Sequence, residues 1–283
     1  MMRALAEYIM RGRLQAITIA LLGSWVPLLN QAAVGLVSLR KGGAEGMIIT
    51  LWAILPSLMA AWLGNVGLAM VAASVAVLVL TYISALLLRA TVSWAYTLVA
   101  VVVMSALLAL LVSSWVGDID VQLNQFFTGF LQSEGEQAGS VTIHWTTISA
   151  SGAIGFWIGL SVVAGLLIAR WWQAMLYNPG GFGLEFRALR LPTALALVCL
   201  AAMLFCLSRG VEYAFWSSLL GLPLLLAGIA LLHFIVKTYQ LKLVWLVIFY
   251  FALVVFKPLS LLVSLLAVFD SGFDLRKRIN VKP

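Results

Sequence analysis

Six stretches of this chain, roughly 46–62, 66–88, 91–113, 149–169, 191–207 and 213–236, are predominantly apolar from end to end. Each matches the length of about 17–25 residues that an α-helix needs to cross the hydrocarbon core of a bilayer. This constrains the fold more than anything else in the sequence. In lipid a backbone must pair its own N–H and C=O groups, and a single segment does so only as a helix. Composition agrees: of 283 residues, 64% are hydrophobic and 10% charged, against about 25% charged in a soluble domain. The sequence therefore predicts an all-α polytopic membrane protein with six full transmembrane helices. Pro56 falls inside the first of them and predicts a kink there.

The charges orient the spans. Arg89, Arg170, Arg187, Arg190, Lys237 and Lys242 stand at apolar-run ends that alternate onto one side. The other side receives the turn at 209–212 and the long loop 114–148, which has no Lys or Arg and carries Asp118, Asp120, Glu134 and Glu136. Lys and Arg mark the cytoplasmic face of a multi-pass protein. The net charge of +7 thus reads as membrane anchoring, and no nucleic-acid partner is expected. Inside the acidic loop Ile119, Leu123, Phe126, Phe127, Phe130 and Leu131 recur at helical spacing. They predict a short amphipathic helix on the outer surface or over the bundle.

Both ends of the chain need a further decision. Residues 1–12 place Met1, Leu5, Tyr8 and Ile9 on one helical face, with Arg3, Glu7 and Arg11 on another. This is the pattern of an interfacial amphipathic helix. No small-residue cleavage site followed by a polar mature domain comes after it, so a cleavable signal is not expected. Segment 14–39 then has cations before it (Arg3, Arg11, Arg13) and after it (Arg40, Lys41). One crossing would strand a basic group outside. Two short helices, 14–26 and 28–39, keep both groups inside; thirteen residues reach only about 20 Å, short of the ~30 Å core. The turn between them holds Pro27, Asn30 and Gln31. Segment 243–269 poses the same problem, with Lys242 before it, Lys257-Pro258 near its middle and Arg276, Lys277 and Arg278 after it. A second broken hairpin with a cytoplasmic C-terminus and a single kinked span with an outside C-terminus both remain open; the charge rule favours the hairpin. On that topology Arg209 and Lys257 are the exceptions among 17 Lys and Arg residues.

The chain then divides into the interfacial helix 1–12, a front bundle 13–169 containing the outer loop, a cytoplasmic loop 170–190, and a back bundle with a tail, 191–283. Small residues let membrane helices approach closely. Gly12, Ala16, Ala20 and Ser24 form one such row and Ser151, Gly155 and Gly159 another. Each row packs either within the chain or, for the first, against a separate subunit. Asn178-Pro179-Gly180-Gly181-Phe182 reads as a turn, with Glu185, Arg187 and Arg190 on a short interfacial helix after it. That loop either anchors the chain or receives a partner or a phosphate headgroup. Asn30, Gln31 and His233 are candidate ligand contacts, since polar groups at membrane depth tend to mark function. His144 has no neighbouring Cys or His in sequence, and Cys199 and Cys206 lie two turns apart on one helix; no metal site, disulfide or other cofactor is expected. No hydrolase or metalloprotease motif is present, and the two histidines fall on different sides of the membrane, so no enzyme activity is expected. Asp270 and Asp274, followed by Arg276 and Arg278, predict a salt-bridged helix end.

The string RWWQAMLYNPGGF at 170–182, with EFRALRL at 185–191 after it, resembles the signature loop of the YybS-like membrane proteins, a bacterial family of unknown function. The resemblance extends to Ser38-Leu39-Arg40-Lys41-Gly42, to His233, to the string WLVIFY at 245–250 and to the stretch 270–278. That family is distantly similar to the S components of energy-coupling-factor transporters. The resemblance implies a bacterial inner-membrane protein with a cytoplasmic N-terminus, an S-component-like front part, and a first helix whose AxxxA row, here Ala16 and Ala20, docks a coupling subunit. The chain departs from S components in its length after Arg170 and in its acidic outer loop. Two function classes follow. One is a transport-type protein holding a small solute among its front helices. The other is a membrane interaction or scaffold protein that docks another membrane complex through its small-residue faces and cytoplasmic loop.

Overall fold

The computed structural model describes residues 2–64, 67–125 and 145–279. The described residues form α1 (Met2–Arg11), α2 (Arg13–Leu22), a 3-10 turn (Gly23–Trp25), α3 (Leu29–Lys41), α4 (Gly43–Trp62), α5 (Leu68–Thr91) and α6 (Trp94–Val116). After the outer loop come α7 (Thr147–Tyr177), α8 (Gly181–Ala188), α9 (Thr193–Ser208), a second 3-10 turn (Val211–Tyr213), α10 (Ala214–Thr238), α11 (Val244–Val255), α12 (Pro258–Phe273) and α13 (Leu275–Ile279). Among them α4, α5, α6, α7 and α10 with its leading turn are long and apolar enough to cross a membrane. The protein is a multi-pass helical membrane protein.

The fifth stretch, 191–207, folds as α9, whose 16 residues extend about 24 Å at 1.5 Å per residue. It reaches the length of a span only together with α8, from which it bends by 70°. The break has a local cause. Pro192 is the N-cap of α9, and the residue before a proline is pushed out of the helical region. Pro56 leaves α4 uninterrupted from Gly43 to Trp62.

The short helix α3 is the centre of the front bundle. Ala32 through Leu39 are all buried, although α3 has only 13 residues. It packs against α2, α4, α5 and most extensively α7, and small residues set the distance. A Cβ on Gly35 would lie 2.8 Å from Ala169 Cβ, and one on Gly46 would lie 2.3 Å from Ser38 Oγ. The chain returns to the same end of the bundle across this hairpin. Arg13, at the start of α2, pairs with Glu45 of α4 just after α3 ends, with Nε 2.8 Å from Oε2.

The back of the molecule repeats the device. Between α11 and α12 the chain turns by 119° at Phe256-Lys257. The first arm meets α10 where Tyr250 Oη lies 2.8 Å from His233 Nε2. The second arm ends on the α8–α9 connection: Arg190 and Thr193 donate to the Ser271 carbonyl at 2.9 and 2.6 Å. The first arm therefore begins and the second finishes at one end of the bundle, the end that also holds Arg40 over the Tyr177 ring and Arg89 near the Ser38 carbonyl.

Helix α1 does not lie free of the bundle. Ala6 and Ile9 are fully buried and the helix rests on α2, α3 and α7, while Tyr8 faces outward. In the outer loop, 119–125 is helical and turns Ile119 and Leu123 inward. The remaining residues expected on that helix, Phe126, Phe127, Phe130 and Leu131, and with them Glu134, Glu136 and His144, lie outside the described residues.

Candidate functional site

The turn between α2 and α3 opens onto a cavity of about 520 Å³. Its walls are the ends of helices remote from the cations: Gly23 to Leu28 in the turn, Ser57 late in α4, Met70 to Leu78 in the first half of α5, and Ala153 to Ser161 early in α7. Leu123 and Trp145 close it from the outer-loop side. Asn30 and Gln31 both line it, as their place at the head of α3 requires.

Backbone geometry holds those two amides in place. Leu28 caps α3 with φ 65° and ψ −4°, the left-handed region that costs a side chain other than glycine about 1–2 kcal/mol. The turn approaches so closely that a Cβ on Gly23 would lie 2.9 Å from the Asn30 nitrogen. On the opposite side a Cβ on Gly165 would lie 2.6 Å from Gln31 Cβ, so α7 makes room for this side chain with a glycine. Asn30 Oδ1 accepts the Gln31 backbone N–H at 2.9 Å. Gln31 Oε1 is buried and accepts no hydrogen bond among the described residues. A buried acceptor left unpaired costs about 1–3 kcal/mol.

Among the described residues the lining contains no Asp, Glu, Lys or Arg. Its polar groups are the two amides, the Ser24, Ser57, Ser74 and Ser161 hydroxyls and the Trp145 indole; the rest is aliphatic and aromatic. Trp145 also stacks on Phe215 of α10, ring centroids 5.8 Å apart. A volume of this size suits a small organic molecule.

His233 is not part of this cavity. It sits at the basic end of α10, hydrogen-bonded to Tyr250 and edge-on to Phe186 at 5.5 Å. The three candidate ligand contacts thus divide into two places, because His233 precedes the cationic end of its helix whereas Asn30 and Gln31 open theirs.

The loop residues are brought together at that basic end. Gly180 takes φ 84°, the conformation that asks for glycine, and Gly181 donates its N–H to the Asn178 carbonyl at 2.9 Å. Glu185 is engaged inside the chain: Arg170 Nε lies 3.0 Å from both carboxylate oxygens, and Trp94 Nε1 donates to Oε1 at 2.6 Å. Arg190 is held by the Ser271 carbonyl and by Asp274 at 2.9 Å. Of this group only Arg187 keeps its guanidinium without a carboxylate partner among the described residues.

Ala16 and Ala20 are buried at 1% and 0% exposure, in the packing of α2 with α1, α3 and α4. Their face is covered by the chain's own helices. The second row is filled as well: Cβ atoms on Gly155 and Gly159 would meet Leu219 of α10 at 3.2 and 2.8 Å. Cys199 and Cys206 are buried free thiols. Sequence reasoning missed the α5 and α7 cavity walls, since Ser74, Trp157 and Ser161 are isolated polar or amphipathic residues in apolar runs and nothing local distinguishes them. Searches against protein families, curated proteins and solved structures find no match to this chain.

Proposed function

We propose that this protein binds a small uncharged solute in the cavity at the head of α3, in the manner of a transporter S component of a bacterial inner membrane, with its basic end cytoplasmic. The observation that carries the reading is a cavity about 520 Å³ in volume whose described lining is apolar except for the Asn30 and Gln31 amides, four serines and Trp145. The amides and hydroxyls suit a hydrogen-bonding solute, the aliphatic and aromatic walls suit an apolar body, and the uncharged lining among the described residues suits a neutral molecule. The cavity lies at the acidic-loop end, so the solute would enter from outside. Thermal unfolding of the detergent-purified protein against a panel of neutral metabolites tests this. A solute that raises Tm in the native protein but not in Gln31→Leu supports the reading; a panel that moves neither overturns it.

The second reading is a non-transporting interaction or scaffold protein that docks another membrane complex. It draws on Leu184, 68% exposed on the helix that follows the glycine turn. The small-residue rows lend it nothing, since both are filled from within. Photo-crosslinking from Leu184 that captures one defined membrane protein would favour it; capture of lipid alone would count against it.

A further inference from the structure

A second concavity lies at the basic end, where α7, α8, α10 and α11 meet. It has two lobes that share a wall made by Arg187 and His233. The first lobe, about 360 Å³, is walled by Leu167, Ile168, Trp171, Phe182 and Phe186. The second, about 440 Å³, adds Lys237 and Gln240. One lobe is thus almost wholly apolar and its neighbour is cationic.

The cations in the second lobe have no carboxylate partner among the described residues. Glu185 is taken by Arg170, Asp270 by Arg276, and Asp274 by Arg190 and Lys277. Among the described residues Arg187 and Lys237 form no ion pair. The shared wall is fixed, because His233 is tied to Tyr250 at 2.8 Å and Phe186 stacks on Phe182 with centroids 5.9 Å apart. Around the apolar lobe Leu184, Val247 and Phe251 are exposed, which places its mouth in lipid on a chain of this class.

We infer that this two-lobed concavity binds one anionic membrane phospholipid, with its phosphate against Arg187 and Lys237 and an acyl chain along Trp171, Phe182 and Phe186. Charge complementarity selects the headgroup, since a basic recess between membrane helices is satisfied by an anionic lipid and not by a neutral surface. The aromatic lobe selects a chain-bearing molecule over a free phosphate ester. The site is distinct from the cavity at Asn30 and Gln31, so it stands or falls independently of the solute reading.

The test is thermal unfolding of the purified full chain in a neutral detergent with phosphatidylglycerol, phosphatidylcholine or glycerol 3-phosphate added. Saturating phosphatidylglycerol is expected to raise Tm by about 5 °C, with phosphatidylcholine and glycerol 3-phosphate giving little. Lys237→Gln, a change at an exposed side chain that leaves the core untouched, should lose about half of the rise, and Arg187→Gln with Lys237→Gln should lose all of it. Arg209→Gln, at the opposite end, should keep it. Equal stabilisation by phosphatidylcholine, or a full rise retained in Lys237→Gln, overturns the proposal. A full rise with glycerol 3-phosphate also overturns it, in favour of a soluble phosphate ester.

Discussion

Single glycines decide how closely the helices approach, and they differ sharply in what they permit. On α10 a Cβ at Gly228 would lie 2.3 Å from the Val263 carbonyl oxygen of α12, a backbone atom that cannot rotate away. Gly272, on α12 itself, has nothing within 4 Å of its would-be Cβ. Overpacking a tight contact costs about 1–3 kcal/mol, whereas alanine for glycine at an unstrained site gains about 0.4–1 kcal/mol. Gly228→Ala is therefore expected to lower stability and Gly272→Ala to leave it equal or raise it. Unfolding free energies of the two variants in detergent check this; equal effects would mean that the α10–α12 contact can relax. Ser151, Gly155 and Gly159 were legible from the sequence as a close-packing row by their four-residue spacing. Gly165 was not, because its partner is the single side chain of Gln31 across the bundle, and no local pattern marks such a pairing.

At the scale of elements, the two hairpins were legible from charge and the fastening of the second was not. Cations on both sides of 14–39 and of 243–269 predict that the chain turns back, and the chain does break between α2 and α3 and bend by 119° between α11 and α12. What holds the second hairpin is Arg276. Its Nε lies 2.9 Å from Asp270 Oδ2, and it also donates to the carbonyls of Arg187 and, at 2.6 Å, Leu189. The salt-bridged helix end read from Asp270 to Arg278 is thus a clamp onto a connection more than eighty residues earlier, which sequence spacing cannot show. Arg276→Leu would leave the Asp270 carboxylate, 2% exposed, without its partner, and breaking a buried pair in this way costs about 3–5 kcal/mol. Adding Asp270→Asn to it should restore part of the loss; no recovery would mean that the carbonyl contacts dominate. Asp274 acts in the same clamp but at the surface. Hydrogen bonds from Lys277 and then Arg190 hold its carboxyl below the ordinary value of 3.8. A carboxylate whose pKa is lowered by folding contributes stability that is complete above its unfolded pKa and lost as pH falls through the folded one. The stability difference between the native protein and Asp274→Asn should therefore be constant at pH values well above 3.8 and shrink as the pH falls below it. A difference that persists at the lower pH would assign it to the left-handed backbone at this position, φ 50°, and not to the charge.

For the whole molecule the governing asymmetry is that the cations gather at one end and the solute-sized cavity opens at the other. The links are independent of one another: Arg13 with Glu45, Arg40 with Tyr177, Arg170 with Glu185, and Arg276 with the α8–α9 connection tie five separate segments into one basic layer. A layer of this kind marks the cytoplasmic side of a multi-pass protein, so the proposed function has the cavity mouth outside and the proposed phospholipid recess inside. The hairpin lengths sharpen the expectation. Helix α11 has 12 residues and extends about 18 Å, too little to carry Lys257 across a core of about 30 Å. In a background with Cys199 and Cys206 replaced by alanine, Arg3→Cys and Lys277→Cys should then be silent to a membrane-impermeant maleimide in intact cells and react in inverted vesicles. Val211→Cys, at a position 90% exposed on the far end, should do the reverse. Lys257→Cys should react slowly from both sides, because its turn stops within the bilayer. Rapid labelling of Lys257→Cys in intact cells together with Lys277→Cys would convert α11–α12 into a single bent crossing. It would move the tail outside and break the basic layer on which both proposed sites depend.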